Sequence, residues 1–315
     1  MLRTRRLACA LLAVALLALS ACGSDSDEPG DSGGEAKGEL SVGGGTFTES
    51  LLLQHMYRLV LQDAGYTVPA PISVTNRETY AKSLKSGEID VIPEYAASMA
   101  DYLNLAVNGA DAGTVASPDI DTTMKALEDL AEQEGYAVLE PAQATDQNAF
   151  AVSKEFAEEN DLTTLSDLGE LGQPVKLAAP VECSERPYCK PGLEKVYGIE
   201  ISDLITADFG SLQAKKAVQT GEAQMCLVGT TDGSLEQFGL VLLEDDKSLQ
   251  NSENLVPIVN EEAASDATVA EVLNKLSETL TTEDLATLNG QVDLERQKPE
   301  TVAQAYLEDK GLIGG

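Results

Sequence analysis

A chain of 315 residues with 21 Lys and Arg against 53 Asp and Glu carries a formal net charge of −32, which repels phosphate backbones and excludes nucleic-acid binding through a basic face. Its single histidine rules out a multi-histidine zinc site and argues against a histidine-based catalytic triad. With 43% hydrophobic residues it is no disordered acidic tail, and at this length it should bury about three quarters of its unfolded surface, commonly in two lobes.

The chain begins as an export signal. Arg3, Arg5 and Arg6 precede an apolar run from Leu7 to Leu19, too short to span a bilayer. Leu19-Ser20-Ala21-Cys22 resembles a bacterial lipobox, which implies removal of residues 1–21 and acylation of Cys22; the alternative is an ordinary secretory signal with a chance cysteine. Residues 22–38, rich in Gly, Ser and Asp, then read as a flexible tether between lipid and domain. No later stretch is apolar for 18 residues, so the expected location is extracytoplasmic, held at the cell membrane by the N-terminal lipid alone.

Apolar runs alternate with amphipathic segments from here on, predicting an α/β fold with largely parallel strands. Leu40-Ser41-Val42 is an expected strand leading into Gly43-Gly44-Gly45. Thr46 and Glu49 then have capping-box spacing, with Leu52, Met56, Leu59 and Val60 on one helical face that ends near Gly65. A helix over 78–86 gives way to a strand at Ile89–Ile92, and Pro93 opens the next helix at Glu94. Helix 121–134 leads to the strand Tyr136–Leu139. A second series has strands at Asn148–Val152, Val175–Ala179, 223–228 and Leu240–Leu243, with helices near 191–197 and from Ser211 to Thr220. The strand Leu255–Val259 precedes three helices near 267–279, 282–289 and 299–310. Leu84–Val91 echoes Val218–Met225, each a helix end, a glycine, a glutamate and a strand, as two similar lobes would require.

Cys9 leaves with the signal and Cys22 takes the lipid. In an oxidising compartment Cys183 and Cys189, across a proline-containing loop, are expected to form a disulfide, and Cys226 reads as a buried strand thiol. The chain has no G-x-S-x-G, H-E-x-x-H, Walker A or dinucleotide fingerprint, so no enzyme activity, cofactor or metal is expected.

Several ordered motifs carry a resemblance. Gly43-Gly44-Gly45-Thr46-Phe47-Thr48-Glu49-Ser50 resembles the G-S-K-N-F-T-E-Q opening of osmoprotectant-type ABC transporter substrate-binding proteins, the glycine betaine/choline/carnitine family. Ser86–Tyr95 is similar to its S-G-E-I-D-x-x-P-E-Y signature, and Pro191–Gly198, Thr231-Asp232-Gly233 and Leu243–Lys247 follow in order. The resemblance implies a two-lobed periplasmic-binding-protein fold (type II-like) with hinge crossover strands, lobe one being 39–145 with 243–315 and lobe two 146–242. It implies a monomer that captures a small polar or zwitterionic solute by lobe closure and delivers it to an ABC permease and its ATPase. Closure follows binding only if the ligand contacts both lobes. A membrane-anchored solute sensor or interaction lipoprotein on the same fold is the alternative.

The family holds quaternary ammonium groups against tyrosine faces. Tyr95 stands at its P-E-Y position, and the alternative for it is core packing at a helix start. The other cage positions depart from the pattern: Asn148 stands where a tyrosine is common, and Val228-Gly229-Thr230 replaces an aromatic before T-D-G. The aromatic cage therefore reads as depleted, with amides and hydroxyls in its place. Gln147, Asn148 and Ser98 join Tyr95 as implied contacts. Arg186, where the family has E-F-x-x-R, either clamps an anionic group or pairs on the surface with Glu182 or Glu185. Thr46, Phe47 and Thr48 lie at a helix N-terminus that either caps itself or donates to ligand. Thr231 and Asp232 are the last implied contacts, Asp232 either facing a ligand cation or capping its turn. His55 has no partner motif and reads as a surface or packed residue.

Overall fold

A computed structural model describes residues 37–109 and 111–314. The signal, Cys22 and all of the tether but its last two residues lie outside the described residues. These last two residues are bonded to the domain: the Lys37 amide donates to the Gly65 carbonyl (3.1 Å), and the Thr67 amide donates to the Gly38 carbonyl (2.8 Å).

The first half runs β1 (Gly43–Gly44), α1 (Thr48–Asp63), β2 (Ile72–Ser73), α2 (Arg77–Ser86), β3 (Val91–Tyr95), α3 (Ala96–Asn108), α4 (Ile120–Glu134) and β4 (Tyr136–Val138). The chain continues with β5 (Asn148–Ser153), α5 (Lys154–Glu159), α6 (Leu165–Leu171), β6 (Val175–Ala179) and α7 (Lys190–Gly192), which widens into a π turn over Leu193–Tyr197. Next come β7 (Ile201–Thr206), α8 (Leu212–Gln219), β8 (Met225–Gly229) and β9 (Leu240–Leu243). It closes with β10 (Leu255–Asn260), α9 (Glu261–Ala264), α10 (Ala267–Thr279), α11 (Thr282–Asp293) and α12 (Pro299–Asp309).

The strands form two main sheets, ordered β3-β10-β4 and β7-β6-β8-β5-β9. Each has its own apolar packing. Val42, Leu52, Met56, Leu285 and Leu288 belong to a core built from the first half and the C-terminal helices, whereas Phe150, Leu177, Met225 and Leu243 belong to one built between residues 150 and 249. This is the two-lobed α/β architecture.

The expectation of largely parallel strands is corrected. Among the strands of the described residues, parallel pairing is confined to β1 with β2 and to β6 with β7 and β8, whereas β10 is antiparallel to both β3 and β4, and β5 to both β8 and β9; isolated parallel bridges such as Val42 with Val91 add to these. β10 arrives from the other sheet and not through a helical crossover, so nothing forces it parallel to its neighbours.

Pro93 does not open a helix. Pro93, Glu94 and Tyr95 complete β3, and α3 starts at Ala96 with Tyr95 as its N-cap residue. β3 is an edge strand of its sheet, where a proline's missing N–H is tolerated. The two αβ junctions of the sequence echo are real: Gly87 (φ 74°) and Gly221 (φ 76°) both take the left-handed conformation that L residues avoid.

Candidate ligand-binding cleft

The glycine run sets the first wall. The Gly45 amide donates to Ser50 Oγ (2.9 Å), and Gln54 Nε2 donates to the Gly45 carbonyl (2.7 Å), so two buried side chains of α1 hold the loop that precedes it. A Cβ on Gly45 would sit 2.8 Å from the Phe47 ring, so only glycine lets that ring fold back over the loop. Phe47 is 51% exposed and stacks on Tyr95 with centroids 6.3 Å apart.

The predicted capping box is absent. α1 begins at Thr48 with Phe47 as N-cap and no side-chain cap bond, and Thr46 is exposed. The reason is that Glu49 is used elsewhere. Its buried carboxylate accepts from Tyr95 Oη at Oε1 (2.6 Å) and from Asn289 Nδ2 at Oε2 (2.8 Å). Asn289, in the last turns of α11, also donates to the Thr231 carbonyl (3.2 Å). These two bonds fix the amide's orientation and leave Asn289 Oδ1 buried without a donor among the described residues.

A cleft of about 760 Å³ opens beside this network. Phe47, Thr48 and Glu49 line it from the start of α1, and Asn289, Asp293 and Arg296 from α11 and the loop after it. The opposite wall comes from the half containing the five-stranded sheet: Asp146, Phe209, Lys215, Gly229, Thr231 and Asp232. Gly229 ends β8 at the centre of that wall. A Cβ there would lie 3.0 Å from Asp146 Oδ1 and 3.7 Å from Phe209 Cζ, so its absence keeps open the space between a carboxylate and a half-exposed ring.

The charges of the cleft are unevenly compensated. Lys215 is buried and spent, its Nζ bonding Asp232 Oδ2 and Ser234 Oγ, both at 2.7 Å. Asp232 also caps its turn, Oδ1 accepting from the Ser234 amide (3.0 Å). Burial and the neighbouring Glu49 charge push the Asp146 carboxyl up to about 7, against donors from Thr231 that pull the other way. Burial also raises Glu253, whose oxygens accept from the Ser98 hydroxyl (2.6 Å) and amide (3.0 Å). The Tyr95 phenol is raised by burial and then by the Glu49 charge, so it donates its proton and stays neutral.

Of the residues expected from sequence, Phe47, Thr48, Thr231 and Asp232 line the cleft. Tyr95 stands behind Phe47, and Ser98 is held by Glu253. Gln147 and Asn148 line a separate cavity of about 260 Å³, and Thr46 is exposed away from both. Arg186 is exposed and does not line the cleft either. Its loop is closed by the Cys183–Cys189 disulfide (Cα–Cα 5.2 Å), whose buried cysteines pack into the second core, and is anchored by Gln250 Nε2 on the Tyr188 carbonyl (2.8 Å). Cys226 is fully buried in β8, as its apolar run predicts. His55 is packed: it is half-buried on α1 with Nδ1 unpaired.

Sequence reasoning missed Asp146, Phe209, Lys215, Gly229 and Asn289, and treated Glu49 only as a cap. Phe209 follows β7, a strand absent from the sequence reading, so nothing placed it. Asp146 left a usable signal, an acidic residue just before a crossover strand.

The family model describing the substrate-binding domain of ABC-type glycine betaine transport systems matches residues 38–309. The chain belongs to this family. Among curated relatives, the glycine-betaine-binding protein of Pseudomonas aeruginosa is 28% identical over 87% of this chain and 88% of its own length. The glycine betaine-binding protein YehZ of Escherichia coli is 27% identical over 88% and 92%. The carnitine transport binding protein OpuCC of Listeria monocytogenes is 23% identical over 97% of both. The apo YehZ structure aligns with a TM-score of 0.77 at 27% identity, covering 87% of this chain and 99% of that one. A glycine betaine/carnitine/choline ABC transporter structure aligns at 0.75 and 20% identity, over 88% and 100%, and supports the fold. The chain is a substrate-binding protein of an ABC transporter, and its family is one of extracytoplasmic transport components, not an enzyme class. Among the described residues no helix is long and apolar enough to cross a membrane.

Proposed function

We propose that the protein captures a small quaternary ammonium solute of the glycine betaine class and hands it to its permease. The observation that carries this is the pair Phe47 and Phe209, two half-exposed rings contributed to one cleft by the two halves of the molecule, with Asp146 and Glu49 beside them. A quaternary ammonium group donates no hydrogen bonds but is attracted to ring faces, at about 0.5–2 kcal/mol per desolvated contact. The cage thus draws on Phe47 and Phe209 where the family resemblance suggested tyrosines. Arg296, which lines the same cleft, suits the anionic end of a zwitterion. The printed names of the relatives, glycine betaine and carnitine binders, support this reading.

In this reading residues 39–145 with 243–315 form one lobe and 146–242 the other, and ligand contact with both favours closure. The mature protein is a monomer tethered through a lipid on Cys22, so Cys22→Ser should release it from the membrane fraction. Isothermal titration with glycine betaine, choline and carnitine tests the ligand. Phe47→Ala and Phe209→Ala should each weaken binding by about 3- to 30-fold, while Arg186→Ala leaves it at wild-type strength. If none of the three solutes gives heat or shifts the melting temperature, the assignment falls.

A further inference from the structure

Two carboxylates line the cleft together, Glu49 from α1 and Asp146 from the segment before β5. A third, Glu253 from the segment before β10, does not line it but adds its charge to Asp146, whose amide its carbonyl accepts (3.1 Å). None of the three is in an ion pair among the described residues. Two of the nearby cations are engaged elsewhere. Arg77 of α2 forks onto Glu94 of β3 (2.8 and 2.9 Å), and Lys215 of α8 is bound to Asp232 after β8. Asp293 and Arg296, at and beyond the end of α11, sit exposed at the mouth, and Tyr95 of β3 donates to Glu49 without charge.

Neutral donors divide evenly: Glu49 receives two, Glu253 two from Ser98, and Asp146 the hydroxyl and amide of Thr231. What sets Asp146 apart is that it carries the like charges of both Glu49 and Glu253. Neighbouring carboxylates withdrawn from water do not all ionise; one keeps a proton until a positive charge arrives. The Asn289 amide sharpens the same polarity, because its donor face is used on Glu49 Oε2 and the Thr231 carbonyl while the buried Oδ1 remains an unpaired acceptor. The wall formed by Glu49, Asp146 and Asn289 therefore attracts positive charge.

We propose that Asp146 is the charge-selecting residue of the cleft: with Glu49 it favours a ligand head bearing a full positive charge, and capture releases a proton from this pair. The inference rests on the ammonium reading above and adds the charge requirement and its linkage to pH. Its direction follows from linkage. The site's pull on a cation is complete only when Asp146 is ionised, so affinity is highest above neutral pH. Below about 7 the bound proton must be displaced, and affinity falls towards tenfold per pH unit.

The test is calorimetric titration with choline and with its uncharged isostere 3,3-dimethylbutan-1-ol. Each is run at pH 6 and pH 8, in two buffers of different ionisation enthalpy, on the wild type and on Asp146→Asn. Expected for the wild type is choline binding about tenfold weaker at pH 6 than at pH 8. Close to one proton should be released per choline at the lower pH, and none with the isostere. Asp146→Asn should flatten the pH dependence, abolish proton release and narrow the preference for choline over the isostere. The wild-type proton count stands even if that variant does not fold. Choline binding with no proton released and no pH dependence overturns this inference while leaving the ammonium reading intact. Failure of choline and glycine betaine to bind at either pH overturns both.

Discussion

The T-D-G motif ends in a glycine whose replacement tests closure directly. A Cβ on Gly233 would lie 2.1 Å from the Ala286 carbonyl oxygen, 2.5 Å from the Gly290 nitrogen and 2.8 Å from the Gly290 Cα. All three are backbone atoms of α11, so no side-chain rotation relieves the overlap. Gly233 follows β8 of the five-stranded sheet, whereas Leu285 and Leu288 place α11 in the other core, so the contact joins the two halves of the molecule. Restoring ordinary van der Waals separation moves α11 and the 231–233 turn apart by roughly 1 Å. That displacement breaks the bond from Asn289 Nδ2 to the Thr231 carbonyl, already 3.2 Å long. Overpacking of this kind costs about 1–3 kcal/mol. Charged to the closed form alone, Gly233→Ala should weaken ligand binding by about 5- to 150-fold. Titration calorimetry gives the affinity, and small-angle scattering gives the ligand-induced compaction, which should shrink. Gly290→Ala supplies the gradient: its Cβ would meet nothing closer than the Gly233 carbonyl oxygen at 3.2 Å, so its effect should be smaller. Wild-type affinity and full compaction in Gly233→Ala would refute the idea that this contact is part of the ligand-bound arrangement.

Two further outcomes follow from buried groups. Glu94 is 1% exposed and takes the Arg77 fork, the Tyr80 hydroxyl (2.6 Å) and the Tyr95 amide (3.1 Å), so Arg77→Met strands a buried carboxylate and should cost about 3–5 kcal/mol in urea unfolding. A loss under 1 kcal/mol would mean that water reaches Glu94. Cys226 is fully buried and its thiol is pushed up to about 12 by burial, so the native protein should resist a thiol reagent at pH 8 and react with it only after unfolding.

Much of the fold was legible because local signals and tertiary packing agree. Leu52, Met56 and Val60 mark the buried face of α1, and Gly87 and Gly221 terminate helices where only glycine is comfortable. Capping patterns were less faithful. Thr46 and Glu49 had the spacing without the function, whereas the actual capping boxes, Thr164 with Asp167 and Thr281 with Asp284, use aspartate at the third position and went unread. Tertiary demand decided the first case: Tyr95 and Asn289, one from β3 and one from α11, claim the Glu49 carboxylate. No local pattern encodes a bond across 240 residues.

The cleft was harder to read for a related reason. Aligned motifs name the positions that relatives share, and here several of those positions do mechanical work: Gly233 lets α11 approach, Asp232 neutralises Lys215, and Glu94 anchors Arg77 beside Tyr95. The surfaces proposed to meet a ligand include Phe209 and Asp146, which lie between the motifs. Counting tyrosines at expected places therefore made the cage look empty, while two phenylalanine rings line the cleft. The charge total misleads in the same way. Most of the −32 is spread over a surface where salt screens it within about 10 Å, so it sets no ligand preference. The few carboxylates withdrawn from water beside Asn289 are screened far less, and a positive charge entering the cleft meets them at close range. In the proposed binding mode, ligand selection depends on that small buried fraction of the acidity.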